Sequence, residues 1–326
     1  MDLSTNKTLM NKLLVIGAGG QLGTELTKAL VNTYGSDAVI ATDYQESVRS
    51  KFDDCHFKTL DVLDKGAIAN LIQEEQVTQV YHLAAILSAN GEKNPVQAWD
   101  INMRGLLNVL ELAKEFQLDK VFWPSSIAVF GPNSPKLNTP QDAFKNPSTV
   151  YGISKLAGEH WCEYYFKTYG VDVRSLRFPG LIGYKSLPGG GTTDYAVDIY
   201  YKAIREESFT CFLKSDTALP MMYMEDAVQA TLQLMAAPAS TIHIRTSYNL
   251  SGMSFSPQEI AKSIQSHKPT FNIEYAPDFR QQIADTWPSS INDDCAKSDW
   301  GWKATFDLPK MTAEILTKLP SHIQKI

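Results

Sequence analysis
Tyr151 and Lys155 are four positions apart within Thr149–Tyr169, a stretch whose pattern predicts a helix. Residues i and i+4 share a helical face, so a phenol and an ammonium would point the same way. A phenol with an ordinary pKa near 10 is a poor base at neutral pH. A neighbouring ammonium favours the phenolate, which could then take the proton of an alcohol while hydride leaves the same carbon. That chemistry needs a group to orient the alcohol and an acceptor for the hydride. Ser125 and Ser126 close an apolar run, Lys120–Pro124, upstream of the tyrosine, and are placed to hold the hydroxyl.

The hydride acceptor is indicated at the start of the chain. Leu13–Ile16 runs into Gly17, Gly20 and Gly23, with Gln21 and Leu22 opening a helix. Gly17 suits a tight turn, Gly20 lets backbone approach a pyrophosphate, and Gly23 lets the helix pack on the strand. The helix N-terminus offers N–H groups and a positive dipole end to the phosphates. The second apolar run ends at Asp43, where a carboxylate would accept ribose hydroxyls and repel the extra phosphate of NADP. NAD is therefore the expected cofactor. Asp61 and Val62 follow the third apolar run and could sit beside adenine. Leu83, Ala84 and Ala85 end the fourth with small residues that suit close passage of the cofactor. Lys155 could also hold the nicotinamide ribose.

These residues need a scaffold that brings strand ends to one edge. The chain alternates strands (Lys12–Ile16, Ala38–Thr42, Gln79–Leu83, Lys120–Pro124, Asp172–Arg177) with helices (Gln21–Val31, Ala67–Glu75, Val96–Phe116, Thr149–Tyr169). Wholly apolar strands, each followed by a helix, predict an α/β fold, a Rossmann doubly wound parallel sheet. The alternation breaks near Leu181, after which a Gly/Pro-rich segment, Leu187–Gly191, leads into mixed elements. The expected organisation is an NAD-binding domain over 1–180 and a smaller α/β substrate domain over 181–326. Segments near 227–250 would return to the first.

Composition narrows the class. A chain of 326 residues with 44% hydrophobic and 20% charged residues is an ordinary globular protein. A net charge of −6 is a poor match for nucleic acid. No apolar run is long enough to span a membrane, and Met1–Lys12 lacks a signal-peptide core. Cys55, Cys162, Cys211 and Cys295 form no C-x-x-C pair and the six histidines no zinc spacing, so free thiols, no metal and a cytoplasmic setting are expected.

Taken in order, the glycine turn, Asp43, Asn102–Gly105, Ser125-Ser126 with Val129-Phe130-Gly131, Tyr151/Lys155 and Arg177-Phe178-Pro179-Gly180 resemble the extended short-chain dehydrogenase/reductase family. Ile86–Glu92, Leu187–Ala196, Leu219–Met224, Trp287–Ser290 and Ser298–Gly301 resemble more closely the branch of that family that oxidises L-threonine. Ser126, often threonine in that branch, keeps the hydroxyl. The resemblance implies cofactor contact by Phe178, a proton path to solvent through Asn102, and a homodimer formed by the Asn102–Phe116 and Tyr151–Tyr169 helices. A small zwitterion such as L-threonine would suit the short polar groups Ser88, Thr192, Thr193 and Asp194, next to Gly191. The segment Pro188–Tyr195 is expected to order around it. A sugar-nucleotide epimerase or dehydratase with the same centre, and a non-catalytic NAD sensor, remain the other readings.

Overall fold
The computed structural model describes residues 11–186, 189 and 191–323. Leu187, Pro188 and Gly190 of the glycine-rich segment, and the first ten residues, lie outside the described residues.

The first half is built as the alternation predicts. The strands are β1 (Leu13–Ile16), β2 (Val39–Asp43), β3 (His56–Thr59), β4 (Gln79–His82), β5 (Lys120–Ser126) and β6 (Val173–Phe178). Between them lie α1 (Gln21–Tyr34), α2 (Lys65–Glu75), α3 (Ser88–Gly91), α4 (Pro95–Trp99), α5 (Gly105–Glu115) and α6 (Val150–Tyr169). The second half adds β7 (Gly180–Ile182), α7 (Tyr195–Ile204), β8 (Phe209–Cys211), β9 (Leu219–Tyr223), α8 (Met224–Ala236) and β10 (Tyr248–Asn249). It ends with β11 (Met253–Phe255), α9 (Pro257–Gln265), β12 (Ile273–Tyr275), α10 (Phe279–Ala284), α11 (Asp294–Trp300) and α12 (Leu308–Ile323).

The main sheet has seven strands in the order β10-β6-β5-β4-β1-β2-β3, all parallel. Strand side chains alternate between two cores, as a period of two requires. Leu13, Val15, Val39 and Ala41 pack with α1, α8 and α11 on one face. Leu14, Ile16, Ile40 and Val80 pack with α2, α5 and α6 on the other. Both faces are therefore covered, the condition for an all-parallel sheet. The order reverses between β1 and β4, and such a switch point opens a crevice at the strands' carboxyl ends.

The later elements enclose a third core of α7, α9 and α12 with β8 and β9. A three-stranded sheet, β11-β9-β7, and a two-stranded one, β12-β8, border it. β10 pairs instead with β6, Tyr248 opposite Leu176. The helix read as continuous over Val96–Phe116 contains a π turn at Asp100–Arg104. Among the described residues no helix is long and apolar enough to cross a membrane.

Candidate active site
The switch point carries the glycine turn. Gly17 has φ +85°, and a β-carbon there would lie 2.6 Å from Ala84 N, so only glycine fits between β1 and the end of β4. A β-carbon on Gly23 would lie 2.4 Å from Gly17 O, which explains how α1 packs so close to the turn. At Gly20 the nearest atom would be 3.6 Å away, so its face stays open. No side chain caps α1 at Gly20, and its first turn holds no acid. That helix end is left to an anion. This cradle fits a dinucleotide pyrophosphate.

Asp43 ends β2 beside the turn. Its Oδ2 accepts Gly19 N–H at 2.9 Å and its Oδ1 accepts Gln45 N–H at 3.0 Å. Each oxygen keeps a second lone pair for a ribose hydroxyl. Asp61 is exposed and caps its own turn by accepting Leu63 N–H at 2.9 Å. Val62 is buried against Gly105. Neither they, Asp43, Ala84 nor Asn102 line the cleft at the switch point. That cleft, of about 650 Å³, takes in Gly17, Gly20, Gln21, Leu22, Gly23, Leu83, Ala85 and Phe178, then Ser125, Ser126, Tyr151 and Lys155, then Ser88, Gly191, Thr192, Thr193 and Asp194.

Thr149 caps α6 through Gly152 N–H at 3.0 Å, and the first turn presents Tyr151 at the end of β5. Ser126 Oγ accepts Ala128 N–H at 3.2 Å and is hydrogen-bonded with the Tyr151 phenol. Lys155 is buried; its Nζ donates to Pro124 O at 2.6 Å, lies 4.5 Å from the Trp123 ring centroid and 5.5 Å from that of Tyr151. Burial dominates both titrations. It pushes the Tyr151 phenol up to about 12, against the Ser126 hydrogen bond, which lowers it. It pushes the Lys155 ammonium down to about 7, against Cys162 and Glu159, which raise it. The sequence expectation concerned the phenol beside both Lys155 and the positive nicotinamide; in the protein by itself burial sets the direction. Burial penalises the charged form of both groups.

Ser125 differs from Ser126. Its hydroxyl donates to Glu159 Oε1 at 2.7 Å. Glu159 is one turn beyond Lys155 on α6 and is gripped by Arg177, Nε to Oε1 at 2.7 Å and a terminal nitrogen to Oε2 at 2.8 Å. Both partners are 1% exposed. With the guanidinium facing both oxygens, Glu159 only accepts, and the Ser125 proton is committed to it. The sequence paired Ser125 with Ser126 as hydroxyl holders and gave Glu159 no role. The i+4 spacing from Lys155 was available as a signal, but its partners come from two different strands.

Asn102 is likewise engaged. Its amide accepts Ile86 N–H at 2.8 Å and donates to Ile86 O at 3.1 Å and Ser154 Oγ at 3.1 Å. It braces the segment after β4 against α6 and does not line the cleft itself. Across the cleft, Ser88 and Thr192 hydroxyls are 3.3 Å apart, and Asp194 Oδ2 accepts Gly191 N–H at 2.7 Å. The cleft also takes in Ile86, Leu87, Asn90, Lys93, Ile127, Leu181 and Trp287, to which the sequence reading gave no role in the site.

A dinucleotide cradle at one end of a cleft and a phenol, an ammonium and a hydroxyl at the other define an NAD-dependent oxidoreductase. The chain belongs to the NAD-dependent epimerase/dehydratase family, which matches residues 13–251. An uncharacterised epimerase/dehydratase of Staphylococcus saprophyticus subsp. saprophyticus is 48% identical over 309 residues, spanning 94% of this chain and 96% of that protein. The holo form of a GalE-like L-threonine dehydrogenase from Cupriavidus necator is 53% identical, covers 94% of this chain and 99% of its own, and superposes with a TM-score of 0.93. A metagenomic L-threonine 3-dehydrogenase described as monomeric is 51% identical, covers 95% and 99%, and gives a TM-score of 0.91.

Proposed function
We propose that the protein oxidises the C3 alcohol of L-threonine to L-2-amino-3-oxobutanoate, without a metal. One observation carries the reading. Among the described residues lining the cleft the only cations are Lys93 and Lys155, whereas Ser88, Thr192, Thr193 and Asp194 bring short polar groups to its wall. A sugar nucleotide brings a second diphosphate, which calls for a basic cluster. A small zwitterion calls only for short donors and acceptors. The names of the threonine dehydrogenases above agree with this choice.

The turn of Gly17, Gly20 and Gly23 would hold NAD, which when bound would supply the acceptor for the hydride from C3. Ser126 orients the reacting hydroxyl and Tyr151 takes its proton. Lys155, fixed on Pro124 O and 5.5 Å from the Tyr151 ring centroid, would supply positive charge near the phenol and hold the nicotinamide ribose. Ser125 can serve the substrate only as an acceptor, since its own proton goes to Glu159. Thr192, Thr193 and the segment from Gly191 to Asp194 hold the carboxylate by hydroxyls; the Gly191 N–H is already used by Asp194. Asn102 acts by bracing Ile86. Residues 1–180 form the cofactor domain and 181–326 the substrate domain, with the β10 pairing supporting a return of 227–250 to the first.

The test is NADH formation by the purified protein with L-threonine, with UDP-sugars as the alternative substrates. Turnover of threonine that survives EDTA is expected. UDP-sugar conversion without threonine oxidation would replace this reading by an epimerase or dehydratase, and cofactor binding without either turnover by an NAD sensor. Asp43 adds a second expectation: kcat/KM with NAD exceeds that with NADP, and Asp43→Asn narrows the gap. Equal use of both cofactors by the unaltered protein would remove Asp43 from the ribose site.

A further inference from the structure
Trp287 is 7% exposed yet lines the cleft. It follows α10 in a turn closed by Trp287 N–H to Ala284 O at 3.0 Å. Lys136 staples this turn, its Nζ donating to Asp285 O at 2.7 Å and Trp287 O at 3.0 Å. The Lys136 carbonyl accepts Ser289 N–H at 2.7 Å. Asn138 N–H reaches Ser290 Oγ at 2.8 Å. On the other side, the Thr286 hydroxyl accepts from Ser148 Oγ at 3.4 Å, next to Thr149, the cap of the helix that carries Tyr151. The turn that carries Trp287 is therefore held from two directions, one of them beside the first turn of α6, which carries Tyr151. Tyr151 itself packs against the apolar cluster that contains Trp287, Ile127 and Ile283.

The carbon whose alcohol gives up its proton to Tyr151 also carries, in L-threonine, a methyl group. The cleft lining carries the hydroxyls of Ser88, Ser125, Ser126, Thr192 and Thr193, whereas Trp287 and Ile127, the latter next to Ser126 in the chain, bring apolar side chains to it. We propose that the Trp287 indole, with Ile127, forms the apolar wall against the substituent on the reacting carbon and sets how large that substituent can be. Lys136 is its positioning residue. This rests on the reading of the substrate as L-threonine, and adds selection against both the shorter and the longer 3-hydroxy amino acid.

A single methylene in an apolar pocket discriminates by roughly 10- to 200-fold. The experiment compares kcat/KM for L-threonine, L-serine and L-3-hydroxynorvaline, with NAD affinity measured on each protein. In Trp287→Ala the threonine-to-serine ratio should fall by about tenfold or more, because the methyl loses its partner. The threonine-to-hydroxynorvaline ratio should fall as well, because room is made for an ethyl group. NAD affinity should hold, since the cradle is at the other end. Trp287→Phe should give intermediate ratios and decides the matter if the alanine variant does not bind NAD. Lys136→Met should lower both ratios less, and Lys136→Arg should restore them. Unchanged ratios in a Trp287 variant that binds NAD overturn the wall. Absence of threonine turnover in the unaltered protein would instead overturn the substrate reading beneath it.

Discussion

Burial decides what Tyr151 can do. With its phenol pushed up to about 12, only a small fraction is phenolate at neutral pH, and that fraction grows tenfold per pH unit below the pKa. The sign for alcohol oxidation follows: log(kcat/KM) should climb with pH between 6 and 9. Lys155, down to about 7 by burial, loses charge as pH rises through that value, so the climb should be shallower above it than below. A flat profile would remove Tyr151 as the base. Tyr151→Phe deletes the proton-accepting oxygen alone and should lower kcat by roughly 10²- to 10⁴-fold with NAD affinity kept; a variant that still turns over at a tenth of the normal rate rejects the assignment. The spacing of Tyr151 and Lys155, and the glycines, could be read from the sequence because each group sits on one element. The commitment of Ser125 to Glu159 could not, because α6, β5 and β6 meet there only in the folded chain.

At the scale of elements, apolar runs and helical periods located β1, β2, β4, β5 and β6 and the helices α1, α2, α5 and α6 of the first half to within a few residues. They did not show the π turn at Asp100–Arg104. An extra residue in a helical turn leaves the hydrophobic pattern nearly unchanged. Its setting is tertiary: Asn102, inside that turn, replaces missing backbone partners for Ile86. The elements after Leu181 were also poorly legible, since β7, β8, β11 and β12 are three residues each, too short for alternation to stand out. Asn102→Ala tests the brace. It leaves a backbone N–H and a carbonyl at the cleft edge short of partners, a loss of about 1–3 kcal/mol. Urea unfolding should show that loss, and kcat/KM should fall because Ile86 borders the cleft. Asn102→Asp, which keeps the acceptor for Ile86 N–H, should recover part of the stability. A loss below about 0.5 kcal/mol, the scale of an ordinary surface change, would mean that Ile86 finds other partners.

At the scale of the whole molecule, one surface is unlike the rest. Ile153, Trp161 and Tyr164 on α6 are exposed at 46%, 39% and 47%, and Val96 and Trp99 on the neighbouring α4 at 82% and 42%. Positions 153, 157, 161 and 164 follow i, i+4, i+8, i+11, so they form one stripe along α6. The stripe is ordered, with Trp161 and Tyr164 edge to face at 5.7 Å, and α4 packs beside α6. Contiguous apolar area of this kind marks an interface more often than a solvated face, and two adjacent helices can meet their copies about a twofold axis. We therefore propose a homodimer through α4, the helix that continues it, and α6. A relative at 51% identity is described as monomeric, so the oligomeric state is the property to measure. Light scattering at micromolar concentration should give twice the 36.3 kDa chain mass, and Trp161→Glu combined with Val96→Lys should give the single mass. Both substitutions point away from the cleft, so NAD affinity should persist in the separated chains. Turnover should nevertheless fall, because Ile153 lies between Tyr151 and Lys155 on the same helix and loses its packing when the partner leaves. A single-chain mass for the unaltered protein, at full activity, would show that α6 positions Tyr151 without a second copy.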